Sequence, residues 1–533
     1  MRIKKWIGAV AFLVCATIIT YIVYLKTLEG AANNVIFQFA MELTEGDQIR
    51  QILLTMGIYI YGYIIATALH VKENVYYNCL LAYPVGIVCW CLMSFVVVIV
   101  GIPYTVGSMT IGMLLLLIGA ICYIKRTEIA FKGQELFRTC LYMLGVAMIS
   151  SSGILPVYTT VDSSYFIMKY GEILSIDGGF TDNASFWLTW TGVALAFLSS
   201  LVHFCGVYSI YTIHHTLIIV FLLFFGMNIY QTLEAKMGTK KAWLAAVSVT
   251  AFMVITPAFY MVAHWIISNS YFMVYMYLYL WIVKRIHEEE INVTGANILL
   301  ASISMFIALM RAESALTVCF LIICASTLKI GKRTLLYAML LPAGIGQSLY
   351  WIRTYFSIGT IFSKNMSKIA FAVIVLGYIG TLVYIVLIRE RVPKKLTERM
   401  FLVILAGLAL LNVVLMIIRP DRAVRNIDSF AYNITNAYWG FFPWLVILAY
   451  AIFINYKQKI NFWDFVWLSY VLFNFGLCMG SGGGLRHGEG DSYNRLVSAT
   501  IPFVYYAMIN HIKLFFTEKR IKDNEINNSD TML

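Results

Sequence analysis

Apolar runs of about 17–25 residues recur along the whole chain, with short charged clusters between them, and each is long enough to cross the hydrocarbon core of a bilayer as a helix. That repetition predicts an all-α polytopic membrane protein with about sixteen spans. They start roughly at residues 6, 51, 77, 105, 138, 208, 242, 271, 295, 314, 334, 369, 399, 437, 462 and 496. With 61% hydrophobic and 12% charged residues, too little polar surface remains for a soluble domain.

The basic clusters set the expected orientation. Lys125-Arg126, Lys240-Lys241, Lys284-Arg285, Lys332-Arg333, the run Arg389 to Lys395, Lys457 with Lys459, and Lys519-Arg520 all fall on one side of this arrangement. By the positive-inside rule that side is cytoplasmic. It leaves a multi-pass protein of the cell membrane with both termini in the cytoplasm. Arg2, Lys4 and Lys5 precede an apolar run too long for a cleaved leader, which predicts an uncleaved first span. The net charge of +12 is explained by such loops and by anionic headgroups, so no nucleic-acid partner is expected. The ten cysteines lie mostly inside apolar runs and form no CxxC pairing, which excludes a disulfide frame and a zinc site. Three regions are expected: a four-span region over 1–137, a membrane catalytic region over 138–513, and a cytoplasmic tail over 514–533.

The segment Val157 to Gly206 breaks the pattern. It begins with Val161-Asp162-Ser163-Ser164-Tyr165, carries Glu172, Asp177 and Asp182, and ends in an aromatic, half-apolar stretch. Counting 187–204 as a span would put Lys236, Lys240 and Lys241 outside and flip every later basic cluster. The stretch 186–204 is therefore expected to be an interfacial helix on the outer face, with Trp187 and Trp190 at headgroup depth and its apolar residues toward lipid.

The outer side then holds the chemistry. Asp162 follows the fifth span and fits two roles at once: a carboxylate beside an acceptor hydroxyl, and a helix N-cap. Glu172 lies ten residues on, about three helical turns, so both acids are candidate catalytic groups facing one cavity. Asp177 and Asp182 flank Gly178-Gly179 and read as turn residues. Arg311 and Glu313 interrupt an apolar stretch, where ionisable groups are costly and imply a purpose or a short outer turn. Arg353, Arg422, Arg486, Asp491 and Arg495 sit in outer loops or at the mouth of a span; guanidinium forks suit phosphate oxygens, and Arg495 leads this group. His203 and His264 are further candidates for substrate contact. With His214 and His215 they fit no compact metal site, and an interfacial setting is expected for them. A divalent cation held by Asp162 and a substrate phosphate stays open as the sole cofactor expectation.

The order of these features resembles the GT-C glycosyltransferases, in particular the bacterial relatives of dolichyl-phosphate-mannose-protein mannosyltransferases. A span leads into an outer loop with an early Asp162, then an interfacial helix over 186–204, then many spans and a late Gly490-Asp491-Ser492-Tyr493-Asn494-Arg495 run before a span with Pro502. The resemblance covers roughly residues 138–513. Val161-Asp162-Ser163 lacks the second acid that the family's motif usually carries. The resemblance implies a lipid-linked sugar donor entering from the bilayer, transfer on the outer face, Asp162 as the catalytic acid, and an arginine on the leaving phosphate. Two other functions fit the sequence: a polymerase or ligase of lipid-linked oligosaccharides, and a transporter or flippase.

Overall fold

The structure, a computed structural model, describes residues 10–18, 48–70, 75–129, 132–152, 155, 164–184, 192–207, 210–311, 314–362, 367–391, 399–435, 439–480 and 492–514. Asp162, Glu313, Arg486 and Asp491 lie outside the described residues, as do 185–191 and 515–533. Among the described residues the fold is all-helical and no strand occurs. That is what an apolar chain in lipid requires, because a helix satisfies its backbone groups within one segment.

After a helix over 10–18, the elements are α1 (Gln48–Leu69), α2 (Val75–Val100), α3 (Val106–Arg126), α4 (Gly133–Ser151), α5 (Tyr170–Asp177), α6 (Ala194–Phe204), α7 (Tyr211–Met237), α8 (Thr239–Ile255), α9 (Pro257–His264), α10 (Ser268–His287), α11 (Val293–Ala308), α12 (Ser314–Ser326), α13 (Leu341–Ile358), α14 (Lys368–Val383), α15 (Met400–Ile418), α16 (Pro420–Thr435), α17 (Phe442–Asn455), α18 (Phe462–Gly480), α19 (Ser492–Ser498) and α20 (501–514). π-Helical turns, Ser164–Lys169 and Thr334–Leu340, lead into α5 and α13.

Eight of the described helices are long and apolar enough to cross a membrane, or nine if α8 and α9 form one broken span. Helices α11, α12 and α17 are shorter, with 16, 13 and 14 residues. A straight crossing takes about 20. The 77° bend between α8 and α9 falls at Pro257, and Thr256 before it is extended, as a residue preceding proline prefers.

The chain forms two compact units. The first comprises Met1–Phe221 with His264–Arg391, and the second Leu222–Ala263 with Val392–Leu533. Residues 1–137 and 138–221 thus share one unit. In that unit α1 and α2 pack backbone to backbone. A Cβ on Gly62 would lie 1.8 Å from the Ala82 carbonyl oxygen, and one on Gly86 would lie 2.3 Å from that of Ile58. Small residues allow this approach, which association in lipid exploits. Helix α10 is enclosed on every side: Tyr271, Tyr275, Tyr277, Tyr279 and Trp281 are all buried. A helix apolar all round belongs in such a position.

In the second unit α15 and α18 run parallel. Phe401 stacks on Phe465 at 4.7 Å, and eleven residues further on Asn412 Nδ2 donates to the Leu472 carbonyl at 2.9 Å. Helix α20 runs antiparallel to α18, since Tyr493 meets Phe475 before α20 begins while Tyr506 meets Trp463 within it.

Candidate functional site

The segment between α4 and α7 supplies two short helices that clasp each other. The Met168 carbonyl lies in the π-helical turn that leads into α5. It accepts from Ser199 Oγ at 3.4 Å and from His203 Nε2 at 3.2 Å, both on α6. Gly171 makes the clasp possible, because an added Cβ would lie 2.4 Å from Ser199 Cβ and 2.8 Å from the Ala196 oxygen. Glu172, on the half-exposed side of α5, pairs with Lys169 at 2.8 Å. His203 is held below its ordinary pKa, chiefly by burial, although the Met168 carbonyl and Glu172 pull the other way.

Helix α5 ends as its sequence dictates. Gly178 takes a left-handed φ of +71°, and Asp177 Oδ2 accepts from Thr181 Oγ1 at 2.7 Å and Asn183 Nδ2 at 3.4 Å. Asp177 is therefore the turn residue the sequence suggests. The turn is pinned by the Tyr104 backbone N–H, which donates to the Gly178 oxygen at 2.7 Å.

Helix α6 departs from expectation. The stretch 186–204 was expected to show an apolar face to lipid, yet every residue from Ala194 to Val202 is buried within the protein. Trp90 Nε1 donates to the Phe197 oxygen at 2.8 Å, and the Tyr104 hydroxyl bonds Ser94 at 3.0 Å and also Ser200. The backbone N–H groups of Val193 and Ala194 both donate to Leu309 O, at 2.9 and 3.1 Å. The reason is compositional: Ala196, Ser199 and Ser200 give α6 a small, weakly polar face for α5 to close upon, while Trp90 and Cys91 of α2 reach the Phe197 and Ala194 oxygens on another side.

The same unit places two of the expected basic residues near this platform. Arg311 follows the turn Leu309–Met310 that receives α6, and is half-buried rather than fully solvated. Arg353 lies on α13 between Tyr350 and Ser357, on the face those two residues share. Tyr350 meets the Phe180 ring at 6.0 Å, and Ser357 Oγ donates to the Phe180 oxygen at 3.0 Å, so this face packs against the segment that follows α5. Arg353 Nε is buried and has no hydrogen-bond partner among the described residues. A guanidinium N–H shielded from water and left unmatched is a ready donor for an anion.

Three further histidines, His214, His215 and His264, are enclosed by protein. His214 and His215, on α7, are 0% and 1% exposed, and His264 is buried as well. His264 Nδ1 stands 3.5 Å from His215 Nε2, and His214 packs on the Tyr271 ring at 5.5 Å. The first turns of α7 are sealed by Gln51 of α1, which bonds Thr212, and by Tyr211, whose hydroxyl donates to the Ser151 oxygen at 3.2 Å. No cluster of three or more metal-ligating side chains occurs among the described residues.

In the second unit, Arg422 Nη1 donates to the Met479 oxygen at 3.3 Å. Arg495 is half-buried in α19, where its carbonyl accepts from Ser498 Oγ at 2.7 Å. Tyr493, two residues before it, packs on Phe430 of α16 at 5.7 Å.

Sequence reasoning missed a buried polar network at the other end of this unit. His511 Nε2 meets Asp464 Oδ2 at 2.7 Å, with the two side chains 3% and 1% exposed. Tyr450 donates its hydroxyl to Asp464 and accepts from Trp467 Nε1 at 2.9 Å, while His511 Nδ1 bonds Gln458. Asn461 caps α18 by accepting from the N–H groups of Trp463 and Asp464, and its own N–H donates to Asp464 Oδ2 at 2.8 Å. The reciprocal Asn-x-x-Asp arrangement at Asn461 is a helix-start signal that the sequence does carry.

No protein-family model, no curated protein and no solved structure matches the chain.

Proposed function

We propose that this chain is a membrane glycosyltransferase of GT-C type, with about sixteen spans, both termini cytoplasmic, and transfer on the outer face of the cell membrane. The observation that carries this reading is the form of the segment between α4 and α7. Its described residues include two short helices, α5 and α6, clasped through Gly171, Ser199 and His203. The resemblance leads one to expect a structured outer loop after the span that precedes the catalytic acid, although with its second helix toward lipid, where α6 is instead enclosed by protein.

In this mechanism Asp162 accepts the proton of the acceptor hydroxyl as its oxygen attacks the anomeric carbon of a polyprenyl-phosphate sugar. The bond from that carbon to the phosphate oxygen breaks, and the leaving phosphate gains negative charge that an arginine offsets. Arg353 in the first unit, and Arg422 and Arg495 in the second, are the candidates for that duty; Glu172, Arg311 and His203 border the same platform as Arg353. The donor's lipid half explains why so many spans accompany so little polar surface.

The test uses purified protein in vesicles loaded with polyprenyl-phosphate hexose, reading release of polyprenyl phosphate. Asp162→Asn is expected to abolish release while the protein still accumulates and remains monodisperse. Undiminished release by that variant would overturn the assignment.

A further inference from the structure

We infer that α16 lies flat in the lipid headgroup layer, as an interfacial helix that anchors one end of the second unit to the bilayer surface. Three observations lead there, and none depends on the enzymatic reading.

The first is where α16 begins. It follows α15 after a single residue, Arg419. Helix α15 is the most apolar of the candidate spans and is almost entirely unburied by protein; Ile417 and Ile418 at its end are 74% and 65% exposed. Such a helix has lipid for its neighbour. One residue of chain reaches at most about 3.6 Å, so α16 starts at the depth where α15 leaves the hydrocarbon.

The second is its direction. Arg419 is non-helical, with φ −131° and ψ 63°, so α16 does not continue α15. Arg422 and Asn426 both reach Met479 near the end of α18, at 3.3 and 2.7 Å. Phe430, one turn beyond Asn426, meets Phe475 at 6.4 Å, one turn earlier on α18. Because α15 and α18 run parallel, both end on this side. Helix α16 therefore turns back over the end of α18, without projecting away from it.

The third is how its surface divides. Arg422, Ala423, Asn426, Ser429 and Asn433 turn toward the protein. The exposed half splits lengthwise into two edges. Val424, 69% exposed, Ile427, 50% exposed, and Ala431 form the apolar one, at helical spacings of three and four. Asp421, Arg425 and Asp428 form the polar one. An exposed apolar edge beside a mixed-charge edge matches a zwitterionic headgroup layer, with the apolar edge dipping toward the acyl chains and the charges meeting phosphate and ammonium groups.

Site-directed spin labels on the full chain test this in vesicles of phosphatidylcholine and phosphatidylglycerol. The exposed native thiols Cys15, Cys122 and Cys205 are first replaced by serine. Labels are then placed at Val424→Cys and Ile427→Cys on one edge and at Asp421→Cys and Arg425→Cys on the other. Ala431→Cys and Asp428→Cys stand in where any of these fails to accumulate. Accessibility to oxygen, which partitions into lipid, is compared with accessibility to a water-soluble nickel chelate. The apolar edge should favour oxygen and the polar edge nickel, with the difference collapsing in detergent-free unfolded protein. Equal nickel access at both edges would overturn the inference and place α16 in water. Shielding of the apolar edge from both reagents, rising with protein-to-lipid ratio, would overturn it in favour of a second copy of the chain.

Discussion

Gly171 of α5 stands so close to Ser199 of α6 that a Cβ on the glycine would lie 2.4 Å from Ser199 Cβ. The two helices close on each other here, with the Ala196 oxygen 2.8 Å from the same position. Gly171→Ala forces them apart and is expected to cost about 1–3 kcal/mol, the usual range for overpacking. It should also break the bonds from Ser199 and His203 to the Met168 oxygen. Thermal unfolding in detergent checks the first effect. Faster proteolysis within 164–204 checks the second, and unchanged stability and protection would show that the clasp is slack.

The Asp464–His511 pair is enclosed by Tyr450, Gln458 and Phe453. Removing one partner of a buried pair leaves the other uncompensated, at about 3–5 kcal/mol. Asp464→Asn and His511→Gln should each destabilise the second unit strongly, and the double variant should cost far less than their sum. Equilibrium unfolding of the three variants gives the coupling; additive losses would deny it.

Stability should depend on pH through His203. Burial holds its folded pKa below the ordinary value, so the unfolded chain takes up its proton first as pH falls. The contribution is fully present above the unfolded pKa of about 6.5 and is lost as pH drops from there toward the folded value. Melting curves between neutral and mildly acidic pH should therefore show a downward slope that His203→Gln flattens. An identical slope in the variant would assign the effect to other groups.

Arg353 carries the anion prediction of the first unit. Under the glycosyltransferase reading, Arg353→Ala should slow polyprenyl-phosphate release by about 10²–10³, the range for losing one oxyanion donor. Arg353→Lys should recover only part of it, because an ammonium cannot reproduce the guanidinium fork. A variant at full rate would remove Arg353 from the set.

Much of the helical layout was legible in the sequence, since span length and apolar composition are local properties. Every expected span start within the described residues has a helix beside it. What composition could not reveal was which helices lipid surrounds. Helix α10, rich in tyrosine, is enclosed by protein, while α15 is bare; both read as apolar runs. Asp464 and His511 stand 47 residues apart, each near a loop end, and nothing local couples them. Helix α16 was hidden for the opposite reason. Arg419, Asp421, Arg422, Arg425 and Asp428 look like a charged loop until they are wound at 100° intervals, about 3.6 residues per turn, and separate into edges. The leading candidate, Asp162, lies outside the described residues, so its partners rest on the sequence.

The wide turn at Ser164–Lys169 sets a phase. A π-helical turn holds one residue more than an α-turn, and one residue is a rotation of about 100°. Whatever enters this turn is therefore clocked against Gly171 and Glu172 by a single amino acid. Losing one residue between 164 and 169 would turn what precedes it by about 100° against Gly171 and Glu172. Substitutions there leave the count intact. Length, more than residue identity, is what this stretch must conserve for α5 to present the same face to α6.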